Sequence, residues 1–179
     1  WPASVLELPE DRVLGLVRAR LNGHEIASVD RGIAYLHRGE PDYSPCTLQL
    51  KDGTKLFWAS GSEKTAIFRT RRSGPGGWDP PQLVLGPSES QEALDAGGVT
   101  DPAVMRWKGT WLLFYAGKAV GQDEPYRIFC ARSEDGVTWR RSPQTGPPLP
   151  ILADPVGPQG MGRVQPTVCI KDGLLYLWY

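Results

Sequence analysis

Three prolines in this 179-residue chain each follow a polar residue: Ser44-Pro45, Asp101-Pro102 and Gln165-Pro166. Asp42, Thr100 and Arg163 stand one or two residues from these pairs, and the segment KAVGQDEPY carries Asp123 and Glu124. Such residues do chemistry when they converge. A carboxylate can attack carbon, activate water or stabilise a developing cation, while a second carboxyl donates a proton to the leaving oxygen. Glycosidic bond cleavage needs such a pair, about 5–5.5 Å apart for retention and about 6.5–9.5 Å for inversion. A third charge nearby tunes the acid. Asp101 and Asp42 are therefore the catalytic candidates. Arg163, Gln165, Ser44, Thr100, Asp123, Glu124 and Trp107 are candidate substrate contacts. Each has a plainer reading as well. Asp-Pro opens turns, loop carboxylates and a loop arginine are commonly solvated, and Trp107 and Trp111 on opposite faces of a hairpin are suited to packing.

The elements that would bring these residues together come from an internal repeat. PCTLQLKDGTKLFWAS from Pro45, PAVMRWKGTWLLFYAG from Pro102 and PTVCIKDGLLYLWY from Pro166 share one plan. Each has a proline, a short apolar strand, a Lys-Asp-Gly or Lys-Gly hairpin turn, and an aromatic-rich strand. IFRTRRSGPGGW from Ile67 and IFCARSEDGVTW from Ile128 extend the repeat as a third strand and turn, with a fourth strand near QLVL or TWRR. The plan predicts four-stranded antiparallel units over residues 43–99 and 100–163, and the first half of another over 164–179. Residues 1–42 are a preceding blade or lead-in. There, RVLGLVRARLNGHEIASV reads as a hairpin turning at Asn22-Gly23, with an amphipathic helix as the alternative.

Repeated four-stranded sheets arranged radially make a β-propeller, so the expected fold is an all-β propeller, incomplete in this chain; a β-sandwich is the alternative. The chain starts at Trp1 without methionine and stops at LLYLWY in mid-pattern. The expectation is that further blades come from the rest of the chain or from another subunit, because open sheet edges invite aggregation. In a blade the loop entering the first strand and the loop joining strands two and three share one face. Ser44, Asp101 and Gln165 should thus meet at the mouth of a central channel. The longer second-blade loop carries Asp123 and Glu124 to the same face.

Composition narrows the partners. Twenty basic residues balance twenty acidic ones, which gives no electrostatic reason to expect nucleic acid or an anionic membrane. No apolar run approaches the roughly 18–20 residues of a membrane span. Cys46, Cys130 and Cys169 form no CxxC pair and have no histidine at metal-ligand spacing; they read as free, buried thiols. No cofactor motif and no metal ligand set is present.

At TDPAVMRWKGTWLLFYAG and IFCARSEDGVTW the chain resembles the five-bladed propeller glycosidases: the arabinanase and β-xylosidase group, the invertase and levanase group, and the mannoside phosphorylases. The similarity runs over roughly residues 43–179. It implies a carbohydrate substrate, with Asp101 matching the channel aspartate that tunes a pKa or stabilises the transition state. SEDGVTW resembles a shortened sialidase Asp-box, in which Asp135 makes a turn and Trp139 packs between sheets. One departure bears on mechanism. The arabinanase-like pattern often supplies its acid as a glutamate shortly before the next proline, but here GRVQP stands there, with no carboxylate from Val156 through Lys171. Three functions remain open: a glycoside hydrolase or phosphorylase whose acid comes from Asp123, Glu124 or another blade; a non-catalytic propeller that binds glycan or protein; and, third, a sialidase-like propeller, which requires several channel arginines around one carboxylate where only Arg163 is well placed.

Overall fold

The computed structural model describes residues 4–8, 12–16, 20–21, 24–25, 33–35, 42–51, 53–72, 78–121, 124–151, 162 and 164–179; before Ser44, and at Gln49, it describes the backbone path alone. Every element among the described residues is a strand, turn or bend.

Strands β1 (Ser4–Leu8), β2 (Arg12–Leu16) and β5 (Ile33–Tyr35) form a three-stranded antiparallel sheet. Between them in sequence, β3 (Arg20–Leu21) pairs with β4 (His24–Glu25) on either side of Asn22-Gly23. The lead-in is therefore strand where it is described, as the hairpin reading expects.

Two four-stranded antiparallel sheets follow. The first is β6 (Asp42–Leu50), β7 (Gly53–Ser60), β8 (Ala66–Arg72) and β9 (Gln82–Leu85), in that order. The second is β10 (Gly98–Trp107), β11 (Thr110–Lys118), β12 (Arg127–Ser133) and β13 (Arg140–Arg141). A further hairpin pairs β14 (Thr167–Lys171) with β15 (Leu174–Trp178). The turns follow from local chemistry. Trp107 pairs with Thr110 and Lys171 with Leu174. The residues between have positive φ throughout: 49° and 89° at Lys108-Gly109, 53° and 74° at Asp172-Gly173. Positive φ at both central positions matches the right-handed twist of the flanking strands.

The sheets stack face to face. β10 contacts β6, β7 and β8 of the preceding sheet and β14 of the following one. Phe57, Ile67, Val84 and Leu85 meet Val99, Val104, Trp111, Leu113, Tyr115 and Phe129 in one apolar layer. Trp139 packs edge-to-face on Phe57 at 6.3 Å between centroids, the offset geometry that aromatic quadrupoles favour. A second layer joins Ala103, Leu112 and Phe114 to Val168, Leu175 and Leu177 of the next hairpin. Each sheet is thus buried on the side of its neighbour, and β7 and β11 are buried on both faces over most of their length. Two of the three thiols, Cys46 and Cys130, are half-buried, but Cys169 is exposed. It pairs with Tyr176 on the face of the β14–β15 hairpin turned away from the second sheet, which corrects the expectation that all three are buried.

The segment between β9 and β10 is held by a buried ion pair. Asp95, fully buried, accepts from Tyr115 OH at 3.0 Å and Arg141 Nε at 2.8 Å, both on Oδ2. Arg141 also donates to the Gly86 carbonyl. Burial, and then the Asp95 charge, push the Tyr115 phenol well above its ordinary value.

Candidate functional site

The three residues before the aligned prolines share one backbone state. Ser44, Asp101 and Gln165 have φ of 50°, 51° and 55°, in the left-handed region that costs a residue with a Cβ roughly 1–2 kcal/mol. A following proline disfavours helical ψ as well. In β6 and β10 the pairing register shifts at this point, between Tyr43 and Cys46 and between Thr100 and Ala103. A bulge of this kind re-aims a side chain out of the alternation of its strand.

The re-aimed groups meet. Asp101 is buried, 9% exposed, and is the centre of a small network. Its Oδ1 accepts from Ser44 Oγ of the preceding sheet and, at 3.4 Å, from Thr100 Oγ1. Its Oδ2 accepts from the backbone N–H of Gln165 at 3.1 Å. One carboxylate thus ties together the entries of three successive sheets. Both of its oxygens are engaged as hydrogen-bond acceptors.

Asp101 lines an open cleft of ≈ 380 Å³ together with Ser44, Thr100, Glu63, Lys118 and Tyr126. The β7–β8 loop is drawn to this face by Val99 N–H, which donates to the Thr65 carbonyl at 3.0 Å. Glu63, Lys118 and Tyr126 are cleft residues that the sequence reading missed. Glu63 sits in the strand two-to-three loop of the first sheet, the loop equivalent to the one that carries Asp123 and Glu124 in the second; that equivalence is the signal in the sequence.

The other candidates fall as follows. Asp42 lies at the start of β6, paired with Ser60 in the ladder. Glu124 is exposed and pairs with Arg127 at 3.7 Å, and it does not line the cleft. Asp123 and Arg163 lie outside the described residues. Trp107 is not brought to the others. It ends β10 six residues after Asp101, about 20 Å along an extended strand. There it packs beside Ala103, Leu112 and Phe114, with Lys108 Nζ 4.8 Å from its ring centroid. Among the described residues no group of three or more His, Cys, Asp or Glu could hold a metal ion.

The Asp135 turn lies beyond the other end of the strands. Asp135 Oδ1 accepts from Thr138 N–H at 2.8 Å, Val137 N–H at 2.7 Å and Ser133 Oγ at 2.8 Å. These bonds, the Thr138 amide foremost, hold its carboxyl well below the ordinary range. Gly136, at φ 70°, lies against the Trp111 ring, where a Cβ would come within 2.9 Å. A separate cleft of ≈ 320 Å³ surrounds Arg132, Ser133, Asp135 and Thr138, but the Asp135 carboxylate is committed to its own turn.

No protein-family model matches the sequence. Over 97 residues the chain is 28% identical to "Uncharacterized protein MT1551" of Mycobacterium tuberculosis (strain CDC 1551 / Oshkosh), covering 53% of this chain and 30% of that protein. Solved structures are similar at low identity. A family 117 glycoside hydrolase, Zg3597 of Zobellia galactanivorans, superposes with a TM-score of 0.64 at 11% identity, over 78% of this chain and 48% of that one. A thermostable family-43 glycoside hydrolase gives 0.61 at 17% identity, over 99% and 64%. The β-1,2-mannobiose phosphorylase of Listeria innocua gives 0.60 at 14% identity, over 99% and 53%. The chain thus spans from about half to just under two thirds of the length of these structures. Its four-stranded sheets, stacked through their faces with their entry residues gathered on one carboxylate, are blades of the β-propeller fold that these glycoside hydrolases and this phosphorylase share.

Proposed function

We propose that this chain supplies part of the sugar-processing mouth of a carbohydrate-active propeller that hydrolyses or phosphorolyses a glycosidic bond. The observation that carries the reading is the convergence of Ser44, Thr100 and the Gln165 amide on the buried Asp101 carboxylate, which lines an open cleft. A negative charge fixed by donors that need no reorganisation is suited to stabilising the oxocarbenium-like transition state of glycoside cleavage. Asp101 takes that role in this reading. Asp42, at the start of β6, is the second candidate carboxylate. The proton donor is Glu63 or Asp123, or a carboxyl on a further blade. Gln165, Ser44, Thr100 and Arg163 are assigned to substrate contact or to orienting Asp101. The reading leaves Trp107, at the far end of β10, and Glu124, which pairs with Arg127 at 3.7 Å, without an assigned role.

Asp101→Asn keeps the shape of the side chain and removes its charge. The expected result is a loss of aryl-glycoside turnover of at least about 100-fold in the full-length protein, in the range for removing one preorganised electrostatic group, with a cooperative unfolding transition retained at a lower melting temperature, because the amide replaces one accepting oxygen by a donor. Equal turnover in variant and parent would end the catalytic assignment of Asp101.

A second reading, a propeller that binds glycan without cleaving it, is favoured by the absence of any carboxylate from Val156 through Lys171. It predicts oligosaccharide binding with no turnover in the parent, and weaker binding in Asp101→Asn.

A further inference from the structure

One cation in the cleft has no part in the chemistry above. Lys118 ends β11, and its position is fixed by the backbone. It pairs with Gly98 in the ladder, and its carbonyl accepts the Gly97 N–H at 2.8 Å. At Gly97 a Cβ would stand 2.1 Å from the Ala119 carbonyl oxygen, so this wall accepts no larger residue without moving. The Lys118 side chain is half-buried and lines the cleft together with Asp101, Glu63 and Tyr126. Its Nζ lies 5.6 Å from the Tyr126 ring centroid. Among the described residues it makes no ion pair. A ring face attracts an ammonium but does not neutralise it, and a partly desolvated charge favours a counter-charge.

We infer that the sugar bound in this cleft carries a single negative charge, a uronate carboxylate or a sulfate half-ester, seated on Lys118 beside Tyr126. The inference rests on the carbohydrate reading and adds the substrate class to it. Lys118 is the one cation that the described residues bring to the cleft, and Asp101 and Glu63 line the same cleft, so a group approaching two negative charges, as phosphate does at neutral pH, meets more repulsion there than a singly charged one. The ring face of Tyr126 offers an apolar surface beside the ammonium, which suits a pyranose carrying a charged substituent better than a free ion.

The test is calorimetric binding to the full-length protein. The probes are oligogalacturonides with free and with methyl-esterified carboxyls, sulfated and desulfated galactan oligosaccharides, and inorganic phosphate. The expected result is at least tenfold tighter binding of one charged oligosaccharide than of its neutral form. That preference should be abolished in Lys118→Gln, retained in Lys118→Arg, and reduced in high salt. Whether the carboxylate or the sulfate pair shows the preference identifies the charged group. Three results overturn the inference: neutral and charged forms binding alike, a preference that survives Lys118→Gln, or Lys118-dependent binding of inorganic phosphate that outcompetes the charged sugars. Binding of neutral sugars without preference sinks the inference and spares the carbohydrate reading. Absence of binding to every oligosaccharide sinks both.

Discussion

Ser44 and Asp101 occupy the same place in successive sheets, 57 residues apart, and the hydroxyl of the first donates to the carboxylate of the second. Both stand one residue before a proline, both have φ near 50°, and both interrupt the register of their strand. A repeat built for packing alone would have no reason to place a left-handed residue other than glycine at this point in each unit. Strain of this sort persists where the surrounding contacts over-determine it, and it gathers at functional sites. Here the result is a carboxylate held by donors from its neighbours on both sides.

Ser44→Ala removes a hydrogen bond to a charged acceptor, worth about 1.5–3 kcal/mol in general. Part of that appears as lost stability, read by urea titration. The informative readout is the split in kinetics. If Ser44 orients Asp101, kcat falls while KM changes little, and Ser44→Thr, which keeps the hydroxyl, restores part of it. A variant that alters KM alone would place Ser44 in substrate contact instead.

Gln165→Gly addresses the strain directly. The Gln165 side chain is exposed and its contribution to the network is its backbone N–H. Glycine adopts φ 55° without the Cβ clash, a gain of roughly 1–2 kcal/mol, offset by about 0.5–1 kcal/mol of added chain entropy. The net expectation is a stability gain below about 1.5 kcal/mol in chemical denaturation. A simultaneous loss of oligosaccharide affinity would show that the amide side chain touches sugar.

Arg141→Met tests the brace behind the site. It leaves Asp95 fully buried with Tyr115 as its remaining side-chain donor and with Oδ1 unpaired. Removing one partner of a buried ion pair costs about 3–5 kcal/mol, so the variant should unfold at markedly lower urea. Asp95→Asn with Arg141→Met should recover part of the loss, a coupling that a double-mutant cycle measures.

Alkaline pH should weaken the fold through Cys130. Burial raises its thiol from the ordinary 9.0 to about 11, against the lowering effect of Arg132. The unfolded chain therefore gives up this proton first. Its contribution is intact below pH 9 and is lost as pH rises toward 11, roughly 2–3 kcal/mol at about 1.36 kcal/mol per unit. Cys130→Ala should flatten the fall in unfolding free energy between pH 9 and 11.

Acid should also weaken the fold, through Asp135. Its carboxyl is held low by the Thr138 and Val137 amides and the Ser133 hydroxyl, so the stability it adds is present above the ordinary 3.8 and lost as pH falls below that value. Asp135→Asn should lower the melting temperature at neutral pH and reduce the further fall on acidification. Turnover and glycan affinity measured below the melting transition should be those of the parent, since this turn lies away from the Asp101 cleft.

What the chain could announce by itself was everything governed by neighbours in sequence. Alternation, hairpin glycines and the Ile-Phe repeats depend on backbone geometry over a few residues, so the paired strands, the four-stranded sheets and the turn at Asp135 were readable without coordinates. The equivalence of Ser44, Asp101 and Gln165 was readable too, because a repeat maps positions onto one another. The left-handed backbone at those positions was not, since proline after a residue does not favour that φ; the stacking of sheets imposes it. Nor was it evident that Asp101 would accept from partners 57 and 64 residues away, that Trp107 would stand at the far end of its strand, or that Glu63 and Lys118 would wall the same cleft. Those facts belong to how one twisted sheet lies on the next. They are set by the apolar layers between sheets, which act across distances no local pattern encodes.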